Sequence, residues 1–290
     1  MVKAVRQLLW VDKTNIKPIN GKIWLKVSMI AIGLAYFFWI YGRVLPFAFL
    51  FNSGPLITFN SIGPWNLDDY VQSILIEVCQ IAGGIGLAAI ALYCFKPRHR
   101  RQSVSLLSHS ISFVIALSIM ILSGIANISA YQLLMYFHVN PMVTVGSNAM
   151  FTLGLEAQIL GVVDSILGPV CEEVIALFLI VVVLRRCNVS WIWIVCIEGV
   201  LRMSYHLYQG IPAFSHLLWI CAFVVIYKCT GSLVGLIVAH VIYDISLLYW
   251  PYDYQTIELT MLGIGVLLCV VLFVERRMRH NAVMSRETLR

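Results

Sequence analysis

Eight stretches of about twenty apolar residues, parted by short polar breaks, constrain the fold of this chain more than anything else in it. They run over about 23–42, 72–95, 104–126, 163–184, 190–208, 212–229, 231–250 and 258–274. Each is close to the ~20 helical residues that a bilayer core requires. The residues are 60% hydrophobic and only 12% charged, whereas a soluble domain carries about 25% charged residues. The expectation is an all-α polytopic membrane protein of eight transmembrane helices. The fifth to seventh boundaries rest on little punctuation, only Gly210-Ile211-Pro212 and Gly231.

The basic residues give the orientation. With the N-terminus inside, Lys96, Arg98, Arg100, Arg101, Arg185, Arg186, Lys228, Arg276, Arg277 and Arg279 all fall on the cytoplasmic side, and Arg43 alone falls in an outer loop. Both termini are therefore expected in the cytoplasm. The net charge of +6 reads as this orientation signal, and no nucleic-acid partner is expected. Residues 1–22 mix Val5, Leu8, Leu9 and Trp10 with Lys3, Arg6, Lys13 and Lys17, which suits an amphipathic segment on the inner leaflet. No cleavable signal peptide is expected, since the first apolar run starts only near Ile23 and is long enough to span. Residues 23–274 form one transmembrane domain and 275–290 a basic cytoplasmic tail. Within 127–162, Met150 to Val163 reads as an amphipathic helix at the outer interface, ahead of the fourth span. The eight cysteines show no paired short spacing, which favours membrane-core residues over a disulfide framework or a zinc knuckle.

Three polar constellations interrupt the apolar runs. An ionisable side chain at the centre of a lipid-facing helix costs ~2.5–3.5 kcal/mol on insertion scales, so their presence on three segments points to a water-containing site between helices. Glu172 and Glu173 follow Gly168-Pro169 near the start of the fourth run. Neighbouring helical residues point about 100° apart, so one carboxylate is expected to face a cleft while the other is tied to a partner. A structural ion pair, a proton relay and catalysis all suit such a pair. Glu198, Arg202 and His206 recur at i, i+4 and i+8 and share a face, as a structural charge ladder or as the wall of a site. His240 and Asp244, again i and i+4, suit a histidine oriented by a carboxylate, or a packed and satisfied imidazole. Cys171 beside Glu172 has no base positioned for it.

Taken together, Glu172-Glu173, Arg-Met-Ser-Tyr-His-Leu-Tyr-Gln-Gly at 202–210 and His-Val-Ile-Tyr-Asp at 240–244 resemble the CPBP family of intramembrane proteases. That family comprises CAAX prenyl endopeptidases and bacterial proteins linked to bacteriocin self-immunity and peptide processing. Its pattern is Glu-Glu-x-x-x-Arg, then Phe-x-x-x-His, then His-x-x-x-Asn or Asp on three membrane helices, and the resemblance covers roughly 160–250. The Arg-x-x-Tyr-His form is similar to a bacterial subgroup, which implies a multi-pass protein of a bacterial cell membrane. Two positions depart from the pattern. Leu177 stands where the family places its arginine, and Arg202 where it often places phenylalanine. Arg202 is expected to supply the missing positive charge to Glu173 from the neighbouring helix, leaving Glu172 free.

The resemblance implies hydrolysis of a peptide bond in a membrane-associated peptide or protein, with no covalent intermediate. Glu172 would be the general base for a water held between it and His206, and His240, oriented by Asp244, would donate to the oxyanion. Glu173, Arg202 and Glu198 complete the candidate site. No cofactor is expected. Zinc is the rival, since two histidines and a glutamate can bind it, yet the His-Glu-x-x-His signature is absent. The outer-half position that positive-inside counting gives Glu172 and His206 favours a membrane-associated or exported peptide over a prenylated CAAX protein. A non-catalytic immunity or regulatory protein that binds a peptide with the same cluster is the alternative.

Overall fold

The computed structural model describes residues 23–41, 67–94, 104–137, 154–206, 211–249 and Gly263. Every regular element among them is helical. In chain order these are α1 (Ile23–Tyr41), α2 (Leu67–Cys94), α3 (Leu106–Tyr136), α4 (Leu155–Glu172), a π-helical segment (Glu173–Leu179), α5 (Ile180–Arg186), α6 (Trp191–His206), a 3₁₀ segment (Ile211–His216), α7 (Leu217–Thr230) and α8 (Leu233–Tyr249). Five spans are long and apolar enough to cross a membrane: Ile23–Tyr41, Leu67–Ala91, Leu106–Tyr136, Gln158–Arg186 and Ile211–Thr230, with Leu233–Ser246 a shorter apolar helix. The chain is thus an all-α polytopic membrane protein. The segment 1–22, the tail 275–290 and all of the eighth run except Gly263 lie outside the described residues.

Two elements differ from the sequence expectation. The helix read over 104–126 continues to Tyr136, and within it Asn127 donates from its side-chain amide to the Pro212 carbonyl at 3.0 Å. The second is the amphipathic stretch before the fourth span. From Leu155 onwards it is no separate interfacial helix but the first turns of the α4–π–α5 rod. Further along, this rod packs on α2, where a Glu77 carboxylate oxygen stands 3.5 Å from where a Cβ on Gly168 would be. Glu172 consequently lies midway between Gln158 and Arg186, not near the start of the span.

Local chemistry explains several boundaries. Ser105 caps α3, its hydroxyl accepting from the Ser108 amide at 3.2 Å. Gly231 ends α7 in the left-handed region (φ 68°), where a glycine carries no Cβ penalty, and its amide donates to the Tyr227 carbonyl at 2.8 Å. Pro169 inside α4 removes an amide from the helical ladder, and the π segment begins four residues later. Such i→i+5 stretches are rare and recur at functional sites.

The π segment sits at the centre of the bundle, packed by α1, α2, α6 and α8. Ile175, Ala176 and Leu177 are fully buried within it. Around it Phe37, Ile194, Ile220, Phe223, Val224, Leu236 and Ala239 are also buried. Trp24, Trp39, Trp193, Leu122 and Val234 are exposed on the outside of the bundle, as helices facing lipid require.

Helix α8 lies closely against α3, and Gly235 makes this approach feasible. A Cβ there would stand 2.5 Å from the His109 carbonyl oxygen and 2.8 Å from Ser112 Cβ. Backbone cannot yield as a side chain does, so Gly235→Ala is expected to push α8 off α3 and to destabilise the fold by about 1–3 kcal/mol, the usual cost of overpacking. A thermal midpoint in detergent below that of the parent protein checks this.

Candidate active site between α4, α6 and α8

Two of the rod's neighbours, α6 and α8, bring ionisable groups to the α4–π junction. Arg202, fully buried on α6, reaches both carboxylates. Its Nη2 donates to Glu172 Oε1 and to Glu173 Oε1, each at 2.6 Å. Nε donates to Glu172 Oε1 at 3.2 Å and Nη1 to Glu173 Oε2 at 3.1 Å. The expectation that Arg202 replaces the arginine missing at Leu177 matches this arrangement as far as the charge is concerned, since Leu177 is a wholly buried apolar residue. The expectation that Glu172 is left free does not. The planar guanidinium fork carries several donors, and the α-to-π junction turns both consecutive carboxylates towards it.

The two glutamates nonetheless differ. Glu173 is shut away, its side chain 0% exposed, between Arg202 and His240. Glu172 keeps 14% of its side chain exposed. It also accepts from the Tyr205 hydroxyl at 2.5 Å, and His206 Nε2 stands 3.6 Å from the same oxygen. That last gap is too long for a hydrogen bond and too short to admit a water in line, given contacts of about 2.8 Å on each side. A water touching both groups therefore sits beside the pair, not between them as the sequence reading had it.

His240 is buried, and its Nδ1 lies 2.8 Å from Glu173 Oε1. Asp244 Oδ2 is 3.7 Å from Nε2 and its side chain is 36% exposed. Glu173, more than Asp244, thus orients the ring: the i, i+4 spacing puts Asp244 on the same face, but helix packing delivers a closer carboxylate. Glu198, although one turn from Arg202, is outside this network. It is fully buried, and among the described residues neither of its oxygens finds a hydrogen-bond partner. Cys171 points to α2, where its thiol donates to Gln80 Oε1 at 3.4 Å.

Aromatic rings close the cluster, and of these only Tyr205 lies within a motif quoted from the sequence. Trp219 packs against Arg202 (4.5 Å from guanidinium carbon to ring centroid), His240 (5.1 Å) and His206 (6.0 Å). A desolvated cation over an indole face gains about 2 kcal/mol, which helps hold Arg202 in the apolar interior. Phe223, one turn further along, meets the same two groups, Arg202 at 5.8 Å and His240 at 6.3 Å. His216 at the end of the 3₁₀ segment lies 5.1 Å from His206. Trp219 and Phe223 sit in an apolar run at core spacing, so nothing marked them apart from packing. Tyr205 had a signal, being i+3 from Arg202 and next to His206.

The same residues bear on metal binding. Glu172, Glu173 and His240 each offer one ligand atom within 4.8 Å of the others. A dication drawn to those oxygens meets a fixed guanidinium already bound to both carboxylates and a His240 nitrogen already bound to Glu173. A metal ion there would have to displace Arg202 from both carboxylates and His240 from Glu173.

Residues 155–246 match the family described as type II CAAX prenyl endopeptidase, Rce1-like. The match runs from α4 into α8 and includes every polar residue of the cluster. The match agrees with the resemblance of the three motifs to the CPBP family. No curated protein and no solved structure matched the chain.

Proposed function

We propose that this protein is an intramembrane endopeptidase that hydrolyses a peptide bond in a membrane-associated peptide or protein, using a water activated by Glu172. One observation carries the reading: of two adjacent buried carboxylates, Glu172 alone keeps access to open space, and it does so beside His206. Glu172 takes the proton of the water as it attacks the carbonyl, and His206 holds that water in place. The negative oxygen that develops is met by His240. With Glu173 at Nδ1 and Asp244 3.7 Å from Nε2, a ring carrying both protons offers Nε2–H to the oxyanion. Glu172 then returns its proton to the departing amine, so protons balance over the cycle. Arg202 and Glu173 fix the geometry from behind. We place the protein in a cell membrane, with the lipid bilayer as its second partner.

The test is turnover in liposomes of two quenched fluorogenic peptides, one ending in a farnesylated CAAX sequence and one unprenylated and anchored by an acyl chain. The reading expects Glu172-dependent cleavage of at least one, with the acylated peptide preferred. Cleavage of neither, or equal cleavage by Glu172→Gln, overturns it and favours a binding role. That role would use the same cluster to hold a peptide, and the tight clamp of Arg202 on Glu172 is the feature in its favour.

A metal-free reaction follows from Arg202 occupying the carboxylates. Turnover is expected to stay within about twofold of the untreated protein after 1,10-phenanthroline or EDTA, since nothing essential is removed. Loss of turnover that zinc restores would replace this mechanism with a metal-dependent one.

A further inference from the structure

Among the described residues, the hydrogen bonds to Glu172 all fall on one of its oxygens. Arg202 Nη2, Arg202 Nε and the Tyr205 hydroxyl donate to Oε1, and His206 Nε2 is nearest to it as well. Among the described residues no donor reaches Oε2, and Oε2 is not among the buried side-chain atoms that lack a partner. It therefore faces the part of the side chain's surface that remains open. The last torsion of a glutamate is broad and two-fold, so without an anchor its two oxygens would exchange places.

Tyr205 is itself anchored from outside the 155–246 core. Its buried ring stacks on Tyr41, the last residue of α1, with centroids 4.4 Å apart and planes at 15°. Phe37, one turn earlier on α1 and fully buried, lies 5.0 Å from the Tyr41 ring and 6.0 Å from that of Tyr205. The first helix thus forms a wall of the site, three ring contacts deep.

We propose that Tyr205 is a positioning residue: with Arg202 it pins Glu172 through Oε1, so that Oε2 is the oxygen that takes the proton from water, and the Tyr41 stack on α1 holds Tyr205 in place. The assignment of Oε2 rests on the endopeptidase reading, whereas the Tyr205–Glu172 anchor does not. Arg202 alone would leave the carboxylate free to tilt about the guanidinium. The tyrosine adds a second direction of restraint, and catalytic groups displaced by 1 Å lose about 10²-fold.

Tyr205→Phe keeps the stacked ring and removes only the hydroxyl. With whichever of the two fluorogenic peptides is cleaved, it is expected to lower kcat by about 10–100-fold with KM within about twofold. Tyr41→Ala is expected to lower kcat in the same sense as Tyr205→Phe. Unchanged kcat in Tyr205→Phe, or a change confined to KM, overturns the proposal. Infrared spectra of protein labelled with 13C at the glutamate carboxyl test the anchor without any turnover. The Glu172 band, assigned by its loss in Glu172→Gln, is expected to shift in Tyr205→Phe, and an unmoved band overturns the anchor. Cleavage that is absent, or equal in Glu172→Gln, removes the endopeptidase reading and leaves the infrared result to decide Tyr205 on its own.

Discussion

Glu172→Gln is expected to abolish cleavage while leaving the protein folded. The amide oxygen of glutamine can still accept from Arg202 and Tyr205, so the hydrogen bonds at 2.6 and 2.5 Å keep an acceptor. What is lost is the group that takes a proton from water. General-base catalysis supplies about 10²–10⁴ in rate, and a drop of at least that size is expected. The measurement pairs turnover with a thermal midpoint in detergent. Glu173→Gln makes the contrast: it sits behind Arg202 and His240 with no exposed surface, so its effect should come through the position of His240 and remain partial.

The largest effect on folding is expected at Arg202. Arg202→Met leaves Glu172 and Glu173 buried without their shared cation, next to a Glu198 that has no hydrogen bond among the described residues. Breaking a buried ion pair by removing one partner costs about 3–5 kcal/mol, a large share of the 5–15 kcal/mol that holds a typical protein folded. The variant should appear aggregated or absent by size-exclusion chromatography. Arg202→Lys should not restore it, because a lysine ammonium offers no planar fork to span both carboxylates. Adding Glu172→Gln and Glu173→Gln to Arg202→Met should recover a folded but inactive protein, as replacing all partners avoids the unpaired charges. A folded Arg202→Met variant with the midpoint of the parent would contradict this account of the cluster.

Much of the architecture was legible because a bilayer imposes a length. Apolar runs of ~20 residues had to be helices, and the described ones are. Boundaries were less legible where a helix stays apolar past the membrane or carries polar residues that face another helix. Tyr136, at the end of α3, and Leu155, at the start of α4, are the two cases. The polar residues of the site were readable from spacing: Glu172, Arg202, His206 and His240 stood out as charges in apolar segments, and they meet in space. Their partnerships were readable only in part: Arg202 was expected at Glu173, and the rest were not. Helical spacing pairs His240 with Asp244, yet the closer carboxylate belongs to Glu173 on another helix. An ideal helix separates Glu172 from Glu173, yet a π segment begins between them. Tyr41, Trp219 and Phe223 look like any core aromatics until the helices that carry them are packed.

Cleavage carried out in water enriched in 18O most directly tests whether this cluster activates water. Mass spectrometry of the fluorogenic-peptide products from the parent protein should show one 18O in the new carboxyl terminus, and Glu172→Gln, folded to the same midpoint, should yield no product. Labelled product formed at the parent rate by Glu172→Gln would contradict the assignment of Glu172 as the base.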